Sequence, residues 1–480
     1  MYGADVAQLR DTAAELRRSA ERLTSSRTEL SATLAASPWS GPDAERFRGE
    51  WQGALSRILQ DAGARLAAAA DALERNAADQ EATSAAGGGA TAGAGTASGP
   101  YGGSPDHPPA GASAQDVTRW WDSLTPAQQR ELLAEHPDRL GTLDGIPAAV
   151  RDQANRAWLT HELDRLAAEE PPRTIPNTSG WGVPYGGTVS NPAWDAWHQQ
   201  VATLQNVQHM LDADRSLSLL LLDTRSGPVE VALAVGDVDT ADHVGVYTQG
   251  LFSNTANADG VRDAAASVTA LNATARDLLL RDGRPGESSA MIMWMGYDAP
   301  QNVVDVLSDA QAKTGADRLA SFADGIRATN PGTHLTGLGH SYGSLVTGLA
   351  ASETTAFDSV AVFGSPGIDA DGLAAVHVDD GQFYVLQNPG DPVAASGWFG
   401  TKPSDLPGAQ VLSTAPSAGL SGATGPSGWL PVVGMVSPIG GLVMAGDYAL
   451  GQHTDYLVEK STSQNNLAAV VVGARDRMIR

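Results

Sequence analysis

Between residues 217 and 387 the chain alternates short, near-continuous apolar runs with longer amphipathic ones. That alternation restricts the fold more than any other feature. The apolar runs cover 217–222, 229–235, 243–247, 290–295, 334–339, 359–363 and 382–387. Runs of this length that lack polar alternation read as strands buried on both faces. Helices are predicted over 193–212, 260–280, 302–314, 316–329 and 342–352, and a Pro/Gly-rich loop over 171–192. Doubly buried strands separated by helices require a mostly parallel sheet with helices on each side. The expected fold is therefore α/β and doubly wound, with any site at the carboxyl ends of the strands.

Composition narrows the partners. The 480 residues carry a net charge of −24, which repels nucleic acid and anionic lipid surfaces, so neither is an expected partner. The absence of cysteine excludes disulfides, thiolate zinc sites and a cysteine nucleophile. Residues 1–6 offer neither a basic nor an apolar signal-peptide region. The longest apolar run, 429–445, is broken by Pro431, Gly434, Pro438, Gly440 and Gly441, so no integral membrane segment is expected. The expected compartment is cytoplasmic, or extracellular by a route that needs no signal peptide.

Three parts follow one another. In 1–83, Val6, Leu9, Ala13, Leu16, Ala20, Leu23 and Leu30 form one helical seam, and Phe47, Trp51, Ala54, Ile58, Ala62, Ala69 and Leu73 form a second. Between them lies Trp39-Ser40-Gly41. A two-helix hairpin cannot bury its seam alone, so pairing with a similar hairpin, or self-association, is expected. With its Trp-Ser-Gly turn this segment resembles the WXG100 family, the small helical substrates of actinobacterial type VII secretion. It departs from that pattern in having no tyrosine within 74–100 for the usual Tyr-x-x-x-Asp/Glu signal. Residues 84–114, mostly Gly, Ala, Ser, Thr and Pro, read as a flexible linker. The α/β domain occupies 115–480 and opens with a helical extension over 115–192, where Thr125 and Pro126 suit the N-cap and first position of a helix.

The chemistry concentrates at Gly339-His340-Ser341-Tyr342-Gly343, which follows the strand at 334–339 and precedes the helix at 342–352. A nucleophile elbow needs a serine on a sharp strand-to-helix turn, with small neighbours that let the two elements approach. Ser341 is the expected nucleophile. The backbone N–H of Tyr342, at the helix N-terminus, faces charge developing on a substrate oxygen. In this arrangement the acid and then the base follow the nucleophile in sequence. His453 lies where the base belongs, whereas His377 comes too early. Asp391, in Asn388-Pro389-Gly390-Asp391, directly follows the last long strand and is the expected acid. A second oxyanion donor is expected from the loop after the strand at 290–295. Gly296 would supply backbone freedom there and the N–H of Tyr297 the donor, with a structural turn as the alternative.

Taken together with Leu143-Asp144-Gly145-Ile146-Pro147-Ala148, Arg151-Asp152-Gln153-Ala154-Asn155-Arg156, Gly296-Tyr297-Asp298-Ala299-Pro300, Phe363-Gly364-Ser365-Pro366-Gly367 and His453-Thr454-Asp455-Tyr456, residues 115–480 resemble the actinobacterial α/β-hydrolase family catalogued as DUF1023. The resemblance implies that fold and a Ser341–Asp391–His453 triad, and little about substrate. One departure is Val246-Tyr247-Thr248-Gln249-Gly250, where the family pattern has a Pro-Gly pair.

The expected activity is hydrolysis of a small-molecule or lipid carboxylic ester through an acyl-enzyme, with no metal or organic cofactor. Amide hydrolysis and acyl transfer would use the same residues. The contrasting expectation is a secretion-associated binding or effector protein with an inactive hydrolase domain. Trp398, Phe399, Trp429, Leu430, Val432, Met435, Ile439, Leu442 and Met444, between acid and base, form either a lid or acyl-binding wall, or ordinary core.

Overall fold

A computed structural model describes scattered positions from 10 to 70, then 107–109, 111–178, 184–225, 228–250, 258–300, 309–370, 372–416 and 453–480. Two compact units divide at residues 98 and 99. In the first, described positions between 10 and 34 and between 48 and 70 are helical. Trp51 Nε1 donates to Ser31 Oγ at 3.0 Å, and Arg48 Nε to the Leu34 carbonyl at 3.4 Å. The Trp-Ser-Gly turn, most of the linker and the apolar run at 429–445 lie outside the described residues.

The second unit opens with helices α1 (Ala114–Ser123), α2 (Pro126–Glu135), α3 (Pro137–Leu140) and α4 (Ala148–Ala168). Ser113 caps α1 in a reciprocal pair with Asp116, and Thr125 caps α2 in the same way with Gln128. Each box satisfies backbone donors that the first turn leaves unpaired. Val117, Trp120, Trp121, Leu132, Leu140 and Ile146 form a small separate core for this extension.

Where a loop was expected over 171–192, two short antiparallel strands form, β1 (Thr174–Thr178) and β2 (Pro184–Ser190). Prolines exclude central strands but not a two-stranded ribbon, in which outward-facing positions need no ladder donor. Helix α5 (Pro192–Ala213) then leads into the main sheet.

The sheet contains β3 (Leu217–Asp223), β4 (Glu230–Val235), β5 (His243–Thr248), β6 (Ser289–Met295), β7 (His334–His340), β8 (Ser359–Phe363), β9 (Phe383–Leu386) and β10 (Gln410–Leu412). Their order is β10-β9-β8-β7-β5-β6-β4-β3. Only β3 with β4 and β4 with β6 pair antiparallel; every other pairing is parallel. Helices α6 (Ala258–Arg281), α7 (Ala310–Thr329), α8 (Tyr342–Glu353) and α9 (Thr462–Val471) cover the faces. Alternate strand side chains divide the interior in two. Leu233, Met293 and Leu338 pack with α5, α6 and α9, while Ala232, Ile292 and Leu335 pack with α7 and α8. Both faces are thus buried, which is why the strands lack polar alternation.

Helix α7 runs unbroken through Gly315, where separate helices ending at 314 and starting at 316 were expected. A side chain there would meet the Tyr297 ring at 3.0 Å, so packing rather than a helix break explains the glycine. No helix among the described residues is long and apolar enough to cross a membrane.

Candidate active site

Strand β7 ends at His340 and α8 begins at Tyr342, leaving Ser341 alone to make the turn. It does so at φ 55° and ψ −130°, a conformation rare for any residue with a side chain. Such a backbone costs about 1–3 kcal/mol and persists only where its surroundings enforce it. Here Ser341 N–H donates to the Phe363 carbonyl of β8 at 3.1 Å. The Ser341 carbonyl accepts from the Ser344 N–H at 3.0 Å and from the Ser344 hydroxyl at 2.5 Å. The flanking glycines are required by proximity. A Cβ on Gly339 would lie 2.6 Å from Ser344 Cα, and one on Gly343 2.4 Å from the Thr248 carbonyl oxygen.

Three elements distant in sequence converge on that serine. His453 Nε2 lies 2.8 Å from Ser341 Oγ. Its Nδ1 lies 3.0 Å from each oxygen of Asp391, which sits in the turn that follows β9. With Nδ1–H facing a carboxylate, Nε2 is left to accept the serine proton. All three side chains are buried. Burial alone would raise the Asp391 carboxyl, but hydrogen bonds from His453, Tyr456 and the Ala394 N–H outweigh it and hold it below the usual carboxylate range.

His340, whose position in the motif had no assigned role, donates Nε2–H to the His453 carbonyl at 2.8 Å. Its ring stacks on Phe363 with centroids 5.2 Å apart. Burial of much of the ring, reinforced by His453 nearby, pushes this imidazole down to about 3, so it stays neutral and its Nε2–H holds the backbone of His453.

The oxyanion expectation divides. Tyr342 opens α8 directly after Ser341. Gly296 and Tyr297 are displaced from the elbow, because β5 lies between β6 and β7 in the sheet. Adjacent strands are roughly 4.8 Å apart, so the end of β6 stands about two spacings from β7. Tyr297 instead stacks on Trp294 and donates its hydroxyl to the Gln249 carbonyl at 2.8 Å. The segment at the elbow is the end of β5. A Cβ on Gly250 would lie 2.7 Å from both Ser341 Cβ and Tyr342 N. The β5 run was legible in the sequence, but its place beside β7 was not.

Phe399 packs edge-on against Tyr342 at 5.6 Å, and its backbone N–H donates to the Pro366 carbonyl, so it is a partly buried residue packed against the core. Trp429, Leu430, Val432, Met435, Ile439, Leu442 and Met444 lie outside the described residues.

Residues 224–400 match a family model described as alpha/beta hydrolase. An uncharacterized protein of Mycobacterium tuberculosis is 38% identical over 229 residues, which are 45% of this chain and 85% of the relative. A second uncharacterized protein of that organism is 32% identical over 309 residues, 60% of this chain and 45% of the relative. Among solved structures, a Trichoderma reesei cutinase in complex with a phosphonate inhibitor aligns at 16% identity and a TM-score of 0.23, over 33% of this chain and 68% of that one. A dienelactone hydrolase from Anabaena variabilis aligns at 13% identity and a TM-score of 0.26, over 41% and 86%. The chain belongs to the alpha/beta hydrolase family.

Proposed function

We propose that the protein is a serine hydrolase that cleaves a carboxylic ester, of a small molecule or a lipid, through an acyl-enzyme. The single observation behind this reading is the continuous line from Asp391 through His453 to Ser341 Oγ, with contacts of 3.0 and 2.8 Å. In the reaction, Ser341 Oγ attacks the ester carbonyl carbon while its proton passes to His453 Nε2. The carbonyl π electrons move to oxygen, where the Tyr342 N–H donates to them. We assign the second donor to the end of β5 at Gln249–Gly250, in place of Tyr297. Collapse of the tetrahedral intermediate expels the alcohol, which takes the proton from His453. Water, deprotonated by the same imidazole, then releases the acid and restores Ser341.

The test is labelling with a fluorescent fluorophosphonate, paired with hydrolysis of p-nitrophenyl esters of graded chain length. Stoichiometric labelling of the wild type and none of Ser341→Ala is expected. Equal labelling of both would end the reading, and inactivity on all esters despite labelling would redirect it to amide hydrolysis or acyl transfer.

For residues 1–83 we propose a WXG100-like helical hairpin that pairs with a partner hairpin or with itself. The partners 34 with 48, 31 with 51 and 27 with 60 run in opposite directions, as in an antiparallel pair. Export by a type VII route is the matching proposal for localisation, with a cytoplasmic location as its alternative.

A further inference from the structure

Tyr456 sits three residues beyond the histidine in His453-Thr454-Asp455-Tyr456, and the mechanism above does not use it. Its ring is fully buried beside Phe363 and His340, with centroids 5.7 and 5.9 Å away. Its hydroxyl accepts from the Asn388 backbone N–H at 2.8 Å and donates to Asp391 Oδ2 at 2.7 Å. Accepting from a fixed backbone donor orients the hydroxyl, and its single proton is then directed at the carboxylate. Burial pushes the phenol far above its usual range, so it remains a donor at every working pH.

The other carboxylate oxygen, Oδ1, accepts from the N–H groups of Val393 and Ala394 at 2.9 and 3.1 Å. Each oxygen is thus held from outside, and the carboxylate plane is left facing Nδ1 of His453 at equal distances. Without the hydroxyl, Oδ2 would keep only the imidazole, and the group could pivot about the bonds on Oδ1. Gly364, at φ 58°, makes room for this arrangement, because a Cβ there would lie 3.1 Å from both Asp391 Oδ2 and Tyr456 Cε2.

We propose that Tyr456 is a positioning residue that ties the acid turn at Asn388–Asp391 to the base segment at 453–456 and fixes the orientation of Asp391 for acyl chemistry at Ser341. The proposal rests on the serine-hydrolase reading given above. It also explains why the loss should appear in turnover rather than in substrate binding, since the Tyr456 hydroxyl acts on Asp391 and reaches Ser341 through His453.

The experiment compares wild type, Ser341→Ala and Tyr456→Phe in the full chain, using a p-nitrophenyl ester and the fluorophosphonate. Tyr456→Phe should still label to completion, which shows a folded site, but its kcat should fall about tenfold at unchanged KM. The acid limb of its kcat/KM profile should move to higher pH, because the Asp391 charge then falls undiminished on the imidazolium. Wild-type kcat with an unshifted limb would overturn the positioning role while leaving the hydrolase reading intact. Labelling of Ser341→Ala would instead overturn that reading. Should Tyr456→Phe fail to fold, 3,5-difluorotyrosine at position 456 keeps the ring and strengthens the donor. Its acid limb should move to lower pH, and an unshifted limb would again refute the proposal.

Discussion

Replacing Gly343 by alanine separates what a helix prefers from what the elbow permits. Gly343 is the second residue of α8, and alanine is favoured over glycine in helices by about 1 kcal/mol. Local propensity therefore predicts a modest gain in stability. The tertiary structure predicts the reverse. A Cβ on Gly343 would lie 2.4 Å from the Thr248 carbonyl oxygen and 2.5 Å from that of Gln249. Reaching ordinary contact near 3.4 Å requires a retreat of about 1 Å. Thr248 cannot move freely, because it pairs with Trp294 of β6 on one side and Gly339 of β7 on the other. The movement is therefore forced on the start of α8 and on Ser341 beside it. Overpacking of this kind costs about 1–3 kcal/mol, enough to cancel or exceed the propensity gain. A displacement near 1 Å at a reacting group costs on the order of 100-fold in rate, or about 2.7 kcal/mol of transition-state stabilisation. Measuring kcat/KM on a p-nitrophenyl ester and the fluorophosphonate labelling rate should show that loss in both, together with a lower Tm. Gly332→Ala is the control, since nothing lies within 4 Å of its Cβ. A Gly343→Ala protein with wild-type kcat/KM and a raised Tm would refute the close-approach argument.

Two further outcomes follow from the same geometry. Asp391→Asn should retain the fold but lower kcat by roughly 10⁴-fold, because an amide in that place favours the wrong imidazole tautomer; steady-state kinetics with a circular dichroism control check it. His340 titrates near 3 in the folded chain against 6.5 for the free group, so the unfolded chain takes up the extra proton. Stability contributed by keeping it neutral is complete above about pH 6.5 and is lost as pH falls towards 3, by about 2 kcal/mol between pH 7 and pH 5. Urea unfolding at those two pH values should show His340→Gln losing less than wild type, and equal losses would contradict the assignment.

The sequence alone determined the elements whose signal is local. Near-continuous apolar runs announced doubly buried strands, because a strand covered on both faces has no solvent side to mark with polar residues. Ser341 was legible because a strained strand-to-helix turn needs small residues on both sides of it, and that need is written within five positions. Asp391 and His453 followed from their order after it. Strand neighbours were not legible, since burial periodicity reports how deeply a strand lies and not what lies beside it. Hence β5, earlier in the chain, inserts between β6 and β7, and the Gly250 segment meets the elbow in place of Gly296 and Tyr297. The same reason hid Tyr456, whose ring reads as ordinary core. Only the tertiary structure places its hydroxyl between Asn388 and Asp391, 68 and 65 residues away in the chain.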